Sequence, residues 1–478
     1  MEITTFLALL CLLSLIFFKL ISVKKRSPAP PLPPGPTAFP FVGSLPQMLT
    51  NKPVPRWIHN LMQQHNTEIA CIKLGGVHVI SVTSPELSRE FLKKHDAFFA
   101  SRPDILSARL ASDGYQGVIL SPSGSQWKKM RRVMASEVLT VGVFQRLHGK
   151  RCEEADHLVR YVYNQWNNVD IKGVVNLRDV TQHHIASVSR KMVFGERFFG
   201  PGTRDEGPGI EEKEHVDGLF MILSCLYAFG VADFVPWLEV LDLDGHKRAV
   251  TNAIKNVRKY QDSAIDKRME MWNLGYKSEE DDILDILINL KNSENEPLLS
   301  IREIKALIVD IMLASVDNPS NAVEWAMAEM INQPDLLAEA CKELDSVVGK
   351  KRLVQESDIP KLNYVKACLK ESFRLHPLAP FNVPHISSKD TVVGGYLIPE
   401  KSYVVLSRPG LGRNPRIWDE PLRFKPERHI FNEQTQVGLA DHDLRILSFS
   451  TGRRGCPGFV LGSTMTIILL ARLIQGFS

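Results

Sequence analysis

From Ser300 to Asn332 the chain reads SIREIKALIVDIMLASVDNPSNAVEWAMAEMIN, and its apolar residues recur at steps of three and four. That is about nine turns of one helix. Ser300 and Glu303 form a capping box at its start, and Pro334 follows its end. Apolar positions fall on more than one side, so the helix is predicted to run through the core. PDLLAEACKELDSVVG predicts a second helix, opened by Pro334 and closed by Gly349. NYVKACLKESFRLHP predicts a third, stopped by Pro377, and GFVLGSTMTIILLARLIQ a fourth, reaching Gly476. Strand-like runs are short: CIKLGGVHVISV early and YVVLS late. The polar, glycine-rich stretch from Gly202 to Gly218 reads as a surface loop. Residues 51–478 therefore predict one mainly α body with a minor β-sheet component, without repeats or an internal boundary.

The first fifty residues follow other patterns. FLALLCLLSLIFFKLISV, Phe6 to Val23, carries one charge, and Lys24, Lys25 and Arg26 follow it. Eighteen helical residues span about 27 Å, close to the hydrocarbon thickness of a bilayer. The basic cluster places the body on the cytosolic side, so residues 1–26 are predicted to be a membrane anchor with a basic stop. A cleaved secretory peptide would carry its charge before the apolar run. Residues 27–50 are a proline-rich hinge, SPAPPLPPGPTAFPFVGSLP and its flanks, favouring extended polyproline II. Phe39, Phe41 and Val42 suggest that its far end docks on the body.

A net charge of +4 over 478 residues is too mild to argue for nucleic acid. The seven cysteines are scattered, without a CxxC pair, as in a reducing compartment. One of them is framed: FSTGRRGCPG, Phe449 to Gly458, places Cys456 among three glycines and two arginines. A thiolate is an iron ligand that favours O–O cleavage, provided the sulfur is held at fixed depth under a flat macrocycle. Gly452, Gly455 and Gly458 would let the backbone approach the ring. Arg454 would pair with a propionate, and Phe449 would cover the sulfur.

This frame resembles that of the cytochrome P-450 family of haem-thiolate monooxygenases, and the similarity extends over nearly the whole chain. KESFRLHP resembles the family's ExxR motif with Glu371 and Arg374, and FKPERH supplies Arg428 as the third member of a structural network. WKKMR places Trp127 and Arg131 on one helix face, resembling a haem-propionate contact. In ASVDNPSN the long helix departs from the family pattern: Ser315 replaces a glycine and Asn318 a threonine, with Pro319 after it. Pro319 leaves the Ser315 carbonyl without its helical partner and predicts a kink. Asp317 and Asn318 are the catalytic candidates of this polar notch, Asn318 as a group that orients water. DNPSNAVEWA, HPLAPFNVPH, RPGLGRNPRIW and KPERH together resemble the plant amino-acid N-hydroxylases, which convert an L-amino acid to its aldoxime. His385 stands where other members carry a propionate-binding arginine.

The resemblance implies haem b ligated by Cys456, dioxygen as co-substrate, and electrons from NADPH through a separate flavoprotein reductase. GLGRNP lacks the third glycine of a dinucleotide fingerprint, and Asn-Pro blocks the helix that should follow. Lys128, Lys129, Arg132, Arg445 and Arg453 offer a basic docking face, and the location implied is the endoplasmic reticulum membrane. Substrate choice belongs to PFNVPH and to loops around 105–120 and 210–235, with no residue marked out as the holder of a carboxylate. Only twenty-two residues follow Cys456, so the C-terminal strands of the fold are expected to be lacking. A truncated, inactive haem-binding remnant is one alternative; a monooxygenase acting on another small molecule is a second.

Overall fold

The structure, a computed structural model, describes residues 30–167, 173–432 and 435–477. The anchor expected at residues 1–26 lies outside them. The longer helices are α1 (Val54–Gln64), α2 (Ser125–Val133), α3 (His148–Trp166), α4 (Leu177–Phe194), α5 (Ile210–Leu226), α6 (His246–Asn273), α7 (Ile301–Asn332), α8 (Pro334–Val347), α9 (Asn363–Leu375) and α10 (Phe459–Phe477). The strands are β1 (Ile69–Leu74), β2 (Val77–Val82), β3 (His385–Ile386), β4 (Thr391–Val393), β5 (Tyr396–Ile398) and β6 (Tyr403–Leu406).

The helix predicted over Ser300–Asn332 is α7, and its capping box is complete. It is the axis of the core: Leu307, Ile308, Met312, Val316 and Val323 are fully buried. Helices α4, α9 and α10 pack around it, and Ser372 of α9 donates to the Ala322 carbonyl of α7 at 2.8 Å. The helix continues through Pro319. Its neighbours occupy the nearby carbonyls instead: Asn318 reaches Ala314 O, Ser320 reaches Val316 O, and Asn321 reaches Asp317 O.

CIKLGGVHVISV forms the antiparallel pair β1–β2; β6 then joins β2 in parallel and β3 joins β6 antiparallel, giving the order β1-β2-β6-β3. A second apolar cluster sits between this sheet and Phe91, Phe99, Leu444 and Leu447. The sheet therefore fixes the segment after α9, which carries PFNVPH, against the segment after β6.

Two expectations need correction. The loop expected over Gly202–Gly218 ends early, because α5 begins at Ile210. Glu211 and Glu212 sit in its first turn, where carboxylates favour the helix dipole. Buried Glu212 also pairs with buried Arg190 at 2.7 Å. The proline-rich segment docks, but not through the three side chains expected: Phe41 is 96% exposed, and Phe39 and Val42 are exposed too, while Leu45 and Met48 are buried in the core. Its backbone adds to this, with Cys71 N–H donating to Pro34 O and Ser44 N–H to Lys73 O. Among the described residues, Ile210–Phe234 and Phe459–Phe477 are long and apolar enough to cross a membrane. Both pack into the body, with Leu219 and Ile222 of the first and Leu469 and Leu470 of the second in the core.

Candidate functional site

The cysteine loop is built by backbone. Cys456 N–H donates to Phe449 O at 2.9 Å, and Gly455 N–H to Gly452 O at 3.0 Å. Gly452 has φ +71°, and a Cβ there would sit 2.3 Å from Leu92 O, so glycine is required on both counts. The Phe449 ring meets Phe459 edge-on at 4.9 Å and Phe373 at 5.9 Å, which fixes the loop's apolar side. At Gly458 a Cβ would find nothing within 4 Å. Cys456 is exposed at its immediate surface although protein encloses it at longer range, so its thiol faces a hollow. Burial pushes that thiol up, against the Gly458 N–H and the charges of Arg131 and Arg408.

One side of the site is a cluster of cations. Arg454 donates from Nε to Ala100 O at 2.6 Å and from Nη2 to Ser121 O at 2.7 Å, with its guanidinium 4.2 Å from the Trp127 ring centroid. Arg131, one turn along α2 from Trp127, donates to Gly455 O at 2.8 Å. Arg102 donates to Val383 O and Pro384 O at 2.6 and 2.9 Å. None of the three is in an ion pair among the described residues. Burial, and then the charges of Arg102 and Arg131, bring Arg454 down to about 8; burial brings Arg102 down to about 10. His385 completes the group. Its Nδ1 lies 2.6 Å from Phe99 O, which only accepts, so Nδ1 carries a proton. Burial, with Arg102 beside it, holds His385 well below its ordinary value.

Helix α7 is open at its middle. Ala314 and Asn318, one turn apart, are exposed in the middle of a helix whose neighbouring positions Leu313, Val316, Asp317 and Pro319 are buried. Asp317 is turned aside and bonded to Asn321 Nδ2. Burial outweighs that bond and lifts its carboxyl to about 6. Of the two catalytic candidates, Asn318 thus faces open space and Asp317 does not.

Beneath the site, the expected network is present and larger than expected. Arg374 holds Glu371 through two bonds of 2.7 and 2.8 Å and also reaches the carbonyls of Gly412, Pro421 and Arg423. Arg428 reaches Glu371 at 3.0 Å, and His429, a member the sequence did not mark, at 2.8 Å. Burial alone would raise Glu371, but the bonds and charges of Arg374 and His429 hold it down to about 2. Arg102 was likewise not marked, because its partners lie some 280 residues away in sequence. The basic face is thinner than expected: Lys129 is paired with Glu303 and Arg453 with Asp96.

The residues fit a haem. Three arginines without counter-charges would receive two propionates, an inward-facing thiol would ligate iron, and the open position at Gly458 would leave room for the ring's edge.

The comparisons agree. A family model described as Cytochrome P450 matches residues 33–478. The chain is 54% identical over 450 residues to "Tyrosine N-monooxygenase" of Sorghum bicolor, covering 94% of this chain and 81% of that protein. It is 53% identical over 478 residues to "Isoleucine N-monooxygenase 1" of Lotus japonicus (99% and 89%). It is 54% identical over 453 residues to "Phenylalanine N-monooxygenase" of Arabidopsis thaliana (94% and 85%).

Proposed function

The chain belongs to the cytochrome P450 family of haem-dependent monooxygenases, and from that premise we propose that it N-hydroxylates a free L-amino acid to the corresponding aldoxime. The single observation that carries the chemistry is the Cys456 thiol facing a hollow with α7 opened at Ala314 and Asn318. The choice of substrate class is supported by the relatives' names, whose amino acids differ while their identity to this chain stays above half.

Haem, when bound, supplies the activation of dioxygen with electrons from a redox partner. The chain's residues do the rest. Cys456 would hold the iron, with Gly452 and Phe449 fixing the depth of its sulfur. Arg102, Arg131 and Arg454, with Trp127 and His385, would hold the propionates. An anion beside His385 would offset the field of Arg102 and favour the protonated ring, freeing Nε2 to donate. On α7, Asn318 commits its NH2 to Ala314 O, which leaves its carbonyl oxygen to orient a water. An amide does not relay protons as a hydroxyl does, so Asn318 would orient that water and not pass a proton itself. Two N-hydroxylations consume two dioxygen molecules and four electrons, and yield the aldoxime with one carbon dioxide and three waters.

The remaining parts of this reading are an anchor over residues 1–26, a hinge over 27–50, a catalytic body over 51–478 on the cytosolic face of the endoplasmic reticulum, and electrons from NADPH through a flavoprotein reductase. The test is incubation of membranes holding the full chain with NADPH, reductase and each of the twenty L-amino acids in turn. Aldoxime from one or a few of them, dependent on Cys456, is expected. Oxygenated products from other small molecules and none from amino acids would overturn it.

A further inference from the structure

Resting on the reading above, we propose that Arg408 is the anchor for the substrate's α-carboxylate, so that the ligand of this pocket is a molecule carrying a free carboxylate next to its reacting nitrogen. Arg408 follows β6, and its backbone N–H donates to Pro380 O at 3.1 Å. Its Nε is buried without a partner, and its guanidinium makes no hydrogen bond or ion pair among the described residues. That sets it apart from the other interior arginines: Arg102, Arg151, Arg190, Arg374, Arg454 and Arg472 are each held by carbonyls or carboxylates. A buried N–H left unpaired is costly, and on a guanidinium an anion is the group that relieves it.

The missing anion is not a haem propionate. His385 pairs with Val404, whereas Phe381 pairs with Ser407. Four residues of extended chain, about 13 Å, therefore separate Val404, opposite His385 of the propionate cluster, from Arg408. What surrounds the Arg408 end is aromatic. Phe381 meets Phe229 at 6.1 Å and His59 at 5.9 Å, and Phe229 stacks on Phe234 at 6.2 Å. Tyr227, two residues before Phe229, has a phenol without a hydrogen-bond partner among the described residues. The Tyr227 phenol feels the charge of Arg408 as well as that of Arg102, so Arg408 lies near this aromatic wall. A guanidinium binds a carboxylate through two parallel bonds and so fixes its plane. The α-nitrogen, two bonds from the carboxyl carbon, is then held toward the thiol side while the side chain lies among the aromatic residues. One anchor would serve amino acids with different side chains.

The test uses the full chain, haem-loaded, in detergent. Binding is read from the shift of the Soret band and from equilibrium dialysis of radiolabelled ligand. Each L-amino acid that binds is compared with its primary carboxamide, which keeps the amine and side chain but not the negative charge. In the wild type the acid should bind about thirtyfold or more tightly than the amide, the range seen when a buried charge pair is broken. Arg408→Gln should remove that difference by weakening the acid alone, and Arg408→Lys should restore part of it. Equal binding of acid and amide by the wild type overturns the proposal without any variant, and so does an Arg408→Gln protein that keeps the preference. If no amino acid binds the wild type at all, the parent reading fails and this one with it.

Discussion

At Asp317 burial outweighs its bond to Asn321, and the folded carboxyl titrates at about 6 against 3.8 for the free side chain. The folded state thus holds its proton where the unfolded chain has lost it. The stability this contributes is complete below pH 3.8 and disappears as pH rises through 6. Asp317→Asn, neutral throughout, should be more stable than the wild type at pH 7.5 by about 1–3 kcal/mol, with the difference vanishing near pH 4. Denaturant unfolding at both pH values checks this; a pH-independent difference would contradict it. Residue by residue, what the sequence revealed depended on locality. Cys456 declares itself because its glycines and arginines are its neighbours, and Glu371 with Arg374 because they share one helix turn. Arg102, Arg408 and His429 are silent in sequence because each acts through segments that only the fold brings together.

At the scale of the element, α7 was legible from its caps and periodicity, and the β1–β2 pair from its two short apolar runs. The loop over residues 117–121 was not, since it has no period of its own and is shaped by what grips it. Asp310 of α7 accepts from the N–H groups of Val118 and Ile119, and Arg454 donates to Ser121 O. The loop therefore couples the core helix to the propionate cluster. A Cβ at Gly117 would lie 2.2 Å from Asp310 Oδ2. Gly117→Ala should cost about 1–3 kcal/mol and lower haem occupancy, read as Soret absorbance per protein, by at least half. Gly124→Ala, where a Cβ meets nothing within 4 Å, is the comparison and should leave occupancy unchanged. Equal occupancy in the two variants would contradict the coupling.

In the whole molecule, Glu371 is the point where α9 is tied to the long segment leading into the cysteine loop. Both Glu371 and Arg374 are fully buried, and Arg374 alone spans three carbonyls between Gly412 and Arg423. Glu371→Gln leaves Arg374 charged and unpaired in the interior, at a cost of about 3–5 kcal/mol. Thermal unfolding should fall accordingly and haem should be lost; an unchanged melting curve would show that the network is not holding the loop. The family's overall arrangement could be read from motif order along the chain, but not the hollow itself, which is a property of what the surrounding helices leave empty. That hollow, with Cys456 on one wall, is the centre of the account. Its most direct test is the reduced, carbon monoxide difference spectrum of the full chain in membranes, beside Cys456→Ser. The account predicts a thiolate-type Soret band in the wild type that is absent from the variant; no such band in the wild type, or the same band in both, would contradict it.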